Sequence, residues 1–161
     1  MKYRNDIRDF IHIHKPVDPI LDYGCGKGLQ YVERKVHTEW GVEQPHLYDP
    51  AVPQHAERPD YTFDLVLCTD VMEHVPEDMV EATFIDIFSM SHRLVFFSIS
   101  TRPALQFVGN KENAHATIKP AQWWNDKITL LKPSKLVVKV CCDPPPRETV
   151  GSIVTHPAGM S

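Results

Sequence analysis

The 161-residue chain has no apolar run near the roughly 20 residues that a bilayer-spanning helix needs, so no transmembrane segment is expected. No basic block interrupts a formal net charge of −4, which argues against broad electrostatic capture of nucleic acid. The opening Met1-Lys2-Tyr3-Arg4-Asn5-Asp6 is too polar for a secretory signal, and a cytoplasmic location is expected. Its four cysteines form no C-x-x-C pair, and in a reducing compartment they should stay thiols. Cys25 and Cys68 read as small buried side chains, and strand alternation should send Cys141 and Cys142 to opposite faces. Glycine is scarce too: the chain has seven, and three of them stand at 24, 26 and 28.

That cluster closes the segment Ile20-Leu21-Asp22-Tyr23-Gly24-Cys25-Gly26-Lys27-Gly28. A short apolar run ends in an acid and turns at once through alternating glycines. The pattern is that of a buried strand bending into a helix beside a ligand, because glycine accepts φ > 0 and lets backbone approach a bound group. In open α/β sheets such ligands sit at the carboxyl ends of the strands.

The rest of the chain supports one α/β domain over residues 1–161, with no internal repeat. Residues 4–14 predict a short helix or edge segment; Pro16 and Pro19 precede a first strand at 19–23, and 27–37 fit a helix. A second strand falls between Trp40 and Asp49, and Phe63–Thr69 is the continuous apolar run of a strand covered on both faces. Pro76 opens a helix to about Met90, followed by a strand at 93–100 and a helix from Pro120 through Leu131. Final strands are expected at 135–141 and 149–154, with Pro144-Pro145-Pro146 as a surface link. Of the adjacent tryptophans, Trp123 is expected to pack inside, and Trp124 is left open between core and ligand stacking. Alternating strands and helices predict a doubly wound, mostly parallel, Rossmann-like sheet.

Acids recur where a nucleoside ligand would need them. Asp22 can hold the turn or, through water, a ligand ammonium group. Asp49, just before Pro50, stands where a carboxylate can take both ribose hydroxyls, with Glu43 as its rival. A third segment, Cys68-Thr69-Asp70-Val71-Met72-Glu73-His74-Val75, leaves the next strand and should line the same crevice.

Together these residues resemble the class I S-adenosylmethionine-dependent methyltransferases. The likeness rests on Leu21–Gly28, on the acid after the second strand, and on Phe63-Asp64-Leu65-Val66 running into Asp70-Val71-Met72-Glu73-His74-Val75. It covers about the first hundred residues and, more loosely, the remaining strands. The resemblance implies adenosylmethionine with its methionine end near Asp22, Tyr23, Gly24, Cys25 and Gly26, its ribose on Asp49 and its adenine beside Pro50 and Ala51. Thr69 and Asp70 would face the methionine portion or the entering substrate. One departure is plain. Between Asp49 and Phe63 the family places a helix, a strand and an acid that touches adenine, but only thirteen residues intervene here. A trimmed sheet edge is expected, with Asp60 as a candidate adenine contact.

The expected acceptor is a small molecule or nucleotide-like substrate, methylated at oxygen or nitrogen. His74 and His115 are the candidate bases, needed only where the acceptor must lose a proton. Asp70, Glu73, His74 and His115 also offer metal ligands, in a pattern similar to that of some metal-assisted O-methyltransferases, though Glu-His-Val also serves as plain helix-start packing. His12-Ile13-His14 has strand-like ligand spacing but no evident third ligand. Two other functions stand beside the leading one: a non-catalytic adenosylmethionine-binding relative, and a nicotinamide-dependent oxidoreductase. The latter requires Gly-x-Gly-x-x-Gly, whereas residue 29 is Leu and the third glycine comes one place early. Oligomeric state is not readable from the sequence.

Overall fold

The structure, a computed structural model, describes residues 3–17, 19–104 and 113–143. The strand expected at 149–154 and the Pro144–Pro146 link lie outside the described residues. Five strands form one sheet in which every pairing is parallel: β1 (Ile20–Tyr23), β2 (His46–Tyr48), β3 (Phe63–Thr69), β4 (Ser91–Ser100) and β5 (Val137–Asp143). Their spatial order is β2-β1-β3-β4-β5. The chain therefore moves outward from β1 to β2 and returns to place β3 on the other side of β1. Crevices open at such a reversal of strand order, at the carboxyl ends of the strands.

Both faces of the sheet are covered, and the alternation of β3 and β4 shows how. Leu65, Leu67, Leu94 and Phe96 face one layer with Ile7, Phe10 and Ile11 of α1 (Arg4–His14). Tyr31 of α2 (Leu29–Val32) and Val36 and Trp40 of α3 (Val36–Trp40) complete that layer. Val66, Cys68, Val95 and Phe97 face the other, with Phe84 and Ile87 of α4 (Val80–Ser89) and Trp124 and Ile128 of α5 (Ala121–Leu131). Period-two alternation makes this division obligatory, and each fully buried large side chain contributes about 1.5–3 kcal/mol. Cys141 and Cys142 obey it: the first packs with the α1 layer and the second with the α4 layer. All four cysteines are free thiols.

Three expectations need correction. The single helix at 27–37 is two short helices, because Lys35 adopts a left-handed φ of 48° between them and Gly41 ends the second. Trp123, expected inside, is half-buried, with the Lys119 and Lys127 ammonium groups 5.4 and 5.5 Å from its ring, and Trp124, which the sequence leaves open, is fully buried against Phe84. The α5 stripe of Trp124, Asn125 and Ile128 faces inward, and Trp123 falls at its edge. The segment 4–14, expected as a helix or edge segment, is the helix α1, where a two-residue spacing does not place His12 and His14 together. Pro76 precedes a 3-10 turn at Glu77–Met79 before α4 begins, so the helix starts later than expected.

The trimmed edge is present: between β2 and β3 the structured element is a 3-10 turn at Pro53–His55. Among the described residues, no helix is long and apolar enough to cross a membrane.

Candidate functional site

The site begins where β1 ends. Gly24, Gly26 and Gly28 all have positive φ. Two of them show what the glycines are for. A Cβ on Gly24 would stand 2.4 Å from Val71 Cγ2, so the turn after β1 packs directly on the turn after β3. A Cβ on Gly26 would meet nothing within 4 Å, so bare backbone faces open space there.

Asp49 follows β2 directly and fastens this turn. One carboxylate oxygen accepts from Gly26 N at 2.8 Å and the other from Ala51 N at 2.9 Å. An ionised carboxylate has about four acceptor positions, so capacity for further donors remains. Glu43 precedes β2, at the other end of the strand, and is exposed. Asp22 is buried at the end of β1 and accepts from Gln30 Nε2 at 3.0 Å. Burial pushes its pKa up to about 6, against the lowering effect of the Gln30 bond and with a smaller rise from the Asp49 charge. Burial likewise pushes the Cys25 thiol up to about 12, so it is a poor nucleophile at neutral pH.

The turn after β3 supplies the opposite wall. Asp70 has a φ of 55°, unusual for a residue with a side chain. Ser98 of β4 holds it there: Asp70 N donates to Ser98 O at 3.0 Å, and Ser98 Oγ donates to Asp70 Oδ1 at 3.1 Å. Two hollows meet along this line. One, of about 360 Å³, is bounded by Gly24, Cys25, Gly26, Gln30, Thr69 and Asp70. The other, of about 520 Å³, is bounded by Tyr23, Asp49, Pro50, Asp70, Val71 and His74. Gly24 and Asp70 belong to both. Asp60 is exposed and borders neither hollow.

Of the four candidate metal ligands, three come together. Glu73, His74 and His115 each offer a ligand atom within 4.8 Å of the others. Asp70 stands outside that group, engaged with Ser98. The His74 and His115 rings meet edge to face, 4.9 Å between centroids.

Ser98 and Gln30 were not anticipated as site residues, whereas Val71 lies in the segment expected to line the crevice. Each acts through a contact between separate strands or turns, which no local motif encodes. Tyr23 adds a similar link: its hydroxyl donates to Asp86, whose other oxygen receives the Arg58 guanidinium.

A parallel sheet with reversed strand order, a glycine turn after β1 and an acid ending the neighbouring β2 define a Rossmann-like protein. Within that class, a family model described as a methyltransferase domain matches residues 2–132, and the chain belongs to that family. No curated protein and no solved structure gives a significant match. Membership of a methyltransferase family displaces the oxidoreductase alternative.

Proposed function

We propose that the chain uses S-adenosylmethionine to methylate an oxygen or nitrogen of a small-molecule or nucleotide-like acceptor. One observation carries this reading: two hollows joined at Gly24 and Asp70, with Asp49 at their rim and glycine backbone open at Gly26. The residues fit the group. The smaller hollow, lined by Asp70, Glu33 and Arg34 beside the open backbone of Gly26, suits a zwitterionic aminoacyl end. The larger one, with Pro50, Ala51 and Val71, suits an adenosine, and the spare acceptor positions of Asp49 suit its ribose hydroxyls.

When bound, adenosylmethionine supplies an electrophilic methyl on a positively charged sulfur, and an acceptor lone pair takes it by direct displacement. The protein's part is to align the two and exclude water. Thr69 and Asp70 border the junction. His74 borders the larger hollow, and its Nδ1 faces Ala114 O at 2.8 Å. That carbonyl accepts a hydrogen from Nδ1 and leaves Nε2 of the neutral ring as a proton acceptor. His115, beside it, is fixed in the same way by Arg102 O at 2.6 Å. His74 and His115 would therefore receive the proton of an acceptor that must lose one.

Titration with adenosylhomocysteine, the product, tests the reading together with transfer of labelled methyl to an acceptor panel. Saturable binding should stabilise the fold by about 2.7 kcal/mol at 100 times Kd. Binding without transfer to any acceptor would favour a non-catalytic relative; no binding at millimolar ligand would overturn both.

A further inference from the structure

The group formed by Glu73, His74 and His115 has features that a helix-start packing role does not use. Glu73 is buried, and its two carboxylate oxygens differ. Oε1 accepts from Ser100 N at 3.0 Å, whereas Oε2 is buried with no hydrogen-bond partner. A buried acceptor left unmatched costs about 1–3 kcal/mol, and more when charged. No Lys or Arg among the described residues forms an ion pair with it.

The two histidines are oriented from behind. Nδ1 of His74 donates to Ala114 O and Nδ1 of His115 to Arg102 O, so the neutral rings present Nε2 lone pairs. An imidazole held through one nitrogen by a carbonyl is the usual way a protein aims the other at a metal. The loop carrying His115 is docked independently of any ion. Thr117 N donates to Glu73 O at 3.0 Å, and Thr117 Oγ1 donates to Val75 O at 2.7 Å. The 4.8 Å limit on ligand-atom separations is little more than about 4.4 Å, the most that two ligands at about 2.2 Å from one ion can span.

We propose that Glu73, through its carboxylate, and His74 and His115, through Nε2, hold one divalent first-row transition ion. A carboxylate with two imidazoles suits Mn²⁺, Fe²⁺, Co²⁺ or Zn²⁺; Ca²⁺ and Mg²⁺ prefer oxygen-only shells. Three protein ligands leave positions open, and His74 also borders the larger hollow. There the ion would bind the acceptor's oxygen and lower its pKa so that the proton leaves to solvent, and His74 and His115 would serve as ligands in place of the base role. This role, though not the ion binding itself, rests on the methyl-transfer reading.

The test uses the full chain, stripped with a chelator and titrated with Co²⁺ alone, followed by calorimetry and by the visible absorption of bound cobalt. One saturable site per chain is expected. His115→Ala, whose ring is only half-buried, should weaken it by more than about 100-fold, exceeding the 10–100-fold cost of losing an outer-shell partner. Glu73→Gln should do the same if it folds, while His12→Ala should leave binding unchanged. Absence of saturable uptake, or wild-type affinity in His115→Ala, overturns the site. Adenosylhomocysteine binding measured in parallel separates the two claims. His115→Ala should keep it, and a chain that binds cobalt but not the nucleoside retains the ion site and loses its assigned role.

Discussion

At the amino end of the sheet, Asp64 is buried and fully met from within the chain: Arg93 Nε donates to it at 2.7 Å, a second Arg93 nitrogen pairs with its other oxygen, and Val17 N donates as well. The Arg93 bonds, outweighing burial, hold its pKa below the ordinary carboxylate value. At the carboxyl end, Asp22 and Glu73 are as deeply buried but form no ion pair with Lys or Arg among the described residues. Burial drives both upward. One end of the sheet spends its charges on its own stability. The other leaves negative charge to be matched by whatever enters, which on our reading is a sulfonium-bearing nucleoside with its ammonium group and a divalent ion.

The largest expected effect tests the closed end. Arg93→Ala strands a buried carboxylate, and breaking a buried pair costs about 3–5 kcal/mol. The Arg93 side chain is 39% exposed, so we expect the low end, about 3 kcal/mol, in chemical denaturation. Because the folded pKa of Asp64 lies below its unfolded value, the wild-type contribution should be present above pH 4 and vanish as pH falls through that region.

Asp22 should show the opposite sign. The folded chain holds its proton more tightly than the unfolded chain does, so stability falls as pH rises from about 4 to about 6. A rise from 3.8 to about 6 corresponds to at most about 3 kcal/mol. Asp22→Asn should remove that slope while Arg93→Ala leaves it in place; equal slopes in wild type and Asp22→Asn would break the comparison.

Asp49→Ala removes the acceptor that fixes Gly26 N and, in our reading, the ribose hydroxyls. Charged hydrogen bonds contribute about 1.5–3 kcal/mol, so adenosylhomocysteine affinity should fall about 10–100-fold by calorimetry. Gly26→Ala is the smallest and sharpest case. Its methyl meets no protein atom, so destabilisation should stay near 1 kcal/mol, the strain of a positive φ. Product affinity should nevertheless drop at least tenfold, because the methyl occupies the ligand's side of the turn. Loss of stability with unchanged affinity would mean that the open space at Gly26 is not a ligand's.

The open end was legible where one stretch of chain carries all the information. Gly24, Gly26 and Gly28 announce a positive-φ turn, Phe63–Thr69 a doubly covered strand, and Asp49-Pro50 a strand end. The shortened edge could be counted directly between residues 49 and 63. The sequence was mute where geometry arises between segments. Val71 closing over Gly24, Ser98 holding Asp70, and His115 reaching His74 across forty positions depend on sheet register. Lys35 carries no signal that it would adopt a left-handed φ and divide a helix, since that conformation is imposed by packing α2 and α3 separately on the sheet. Trp123 and Trp124 have the same local propensity, and only the direction of the α5 stripe decides which is inside.

The central claim is that the crevice at Gly24 and Asp70 exists to hold adenosylmethionine, and a crystal of the chain grown with saturating adenosylhomocysteine tests it most directly. The account predicts ribose hydroxyls on Asp49, adenine against Pro50 and Ala51, and the aminoacyl end in the hollow beside Gly26 and Thr69. A product molecule seated elsewhere on the chain, or side chains collapsed into both hollows, would contradict it.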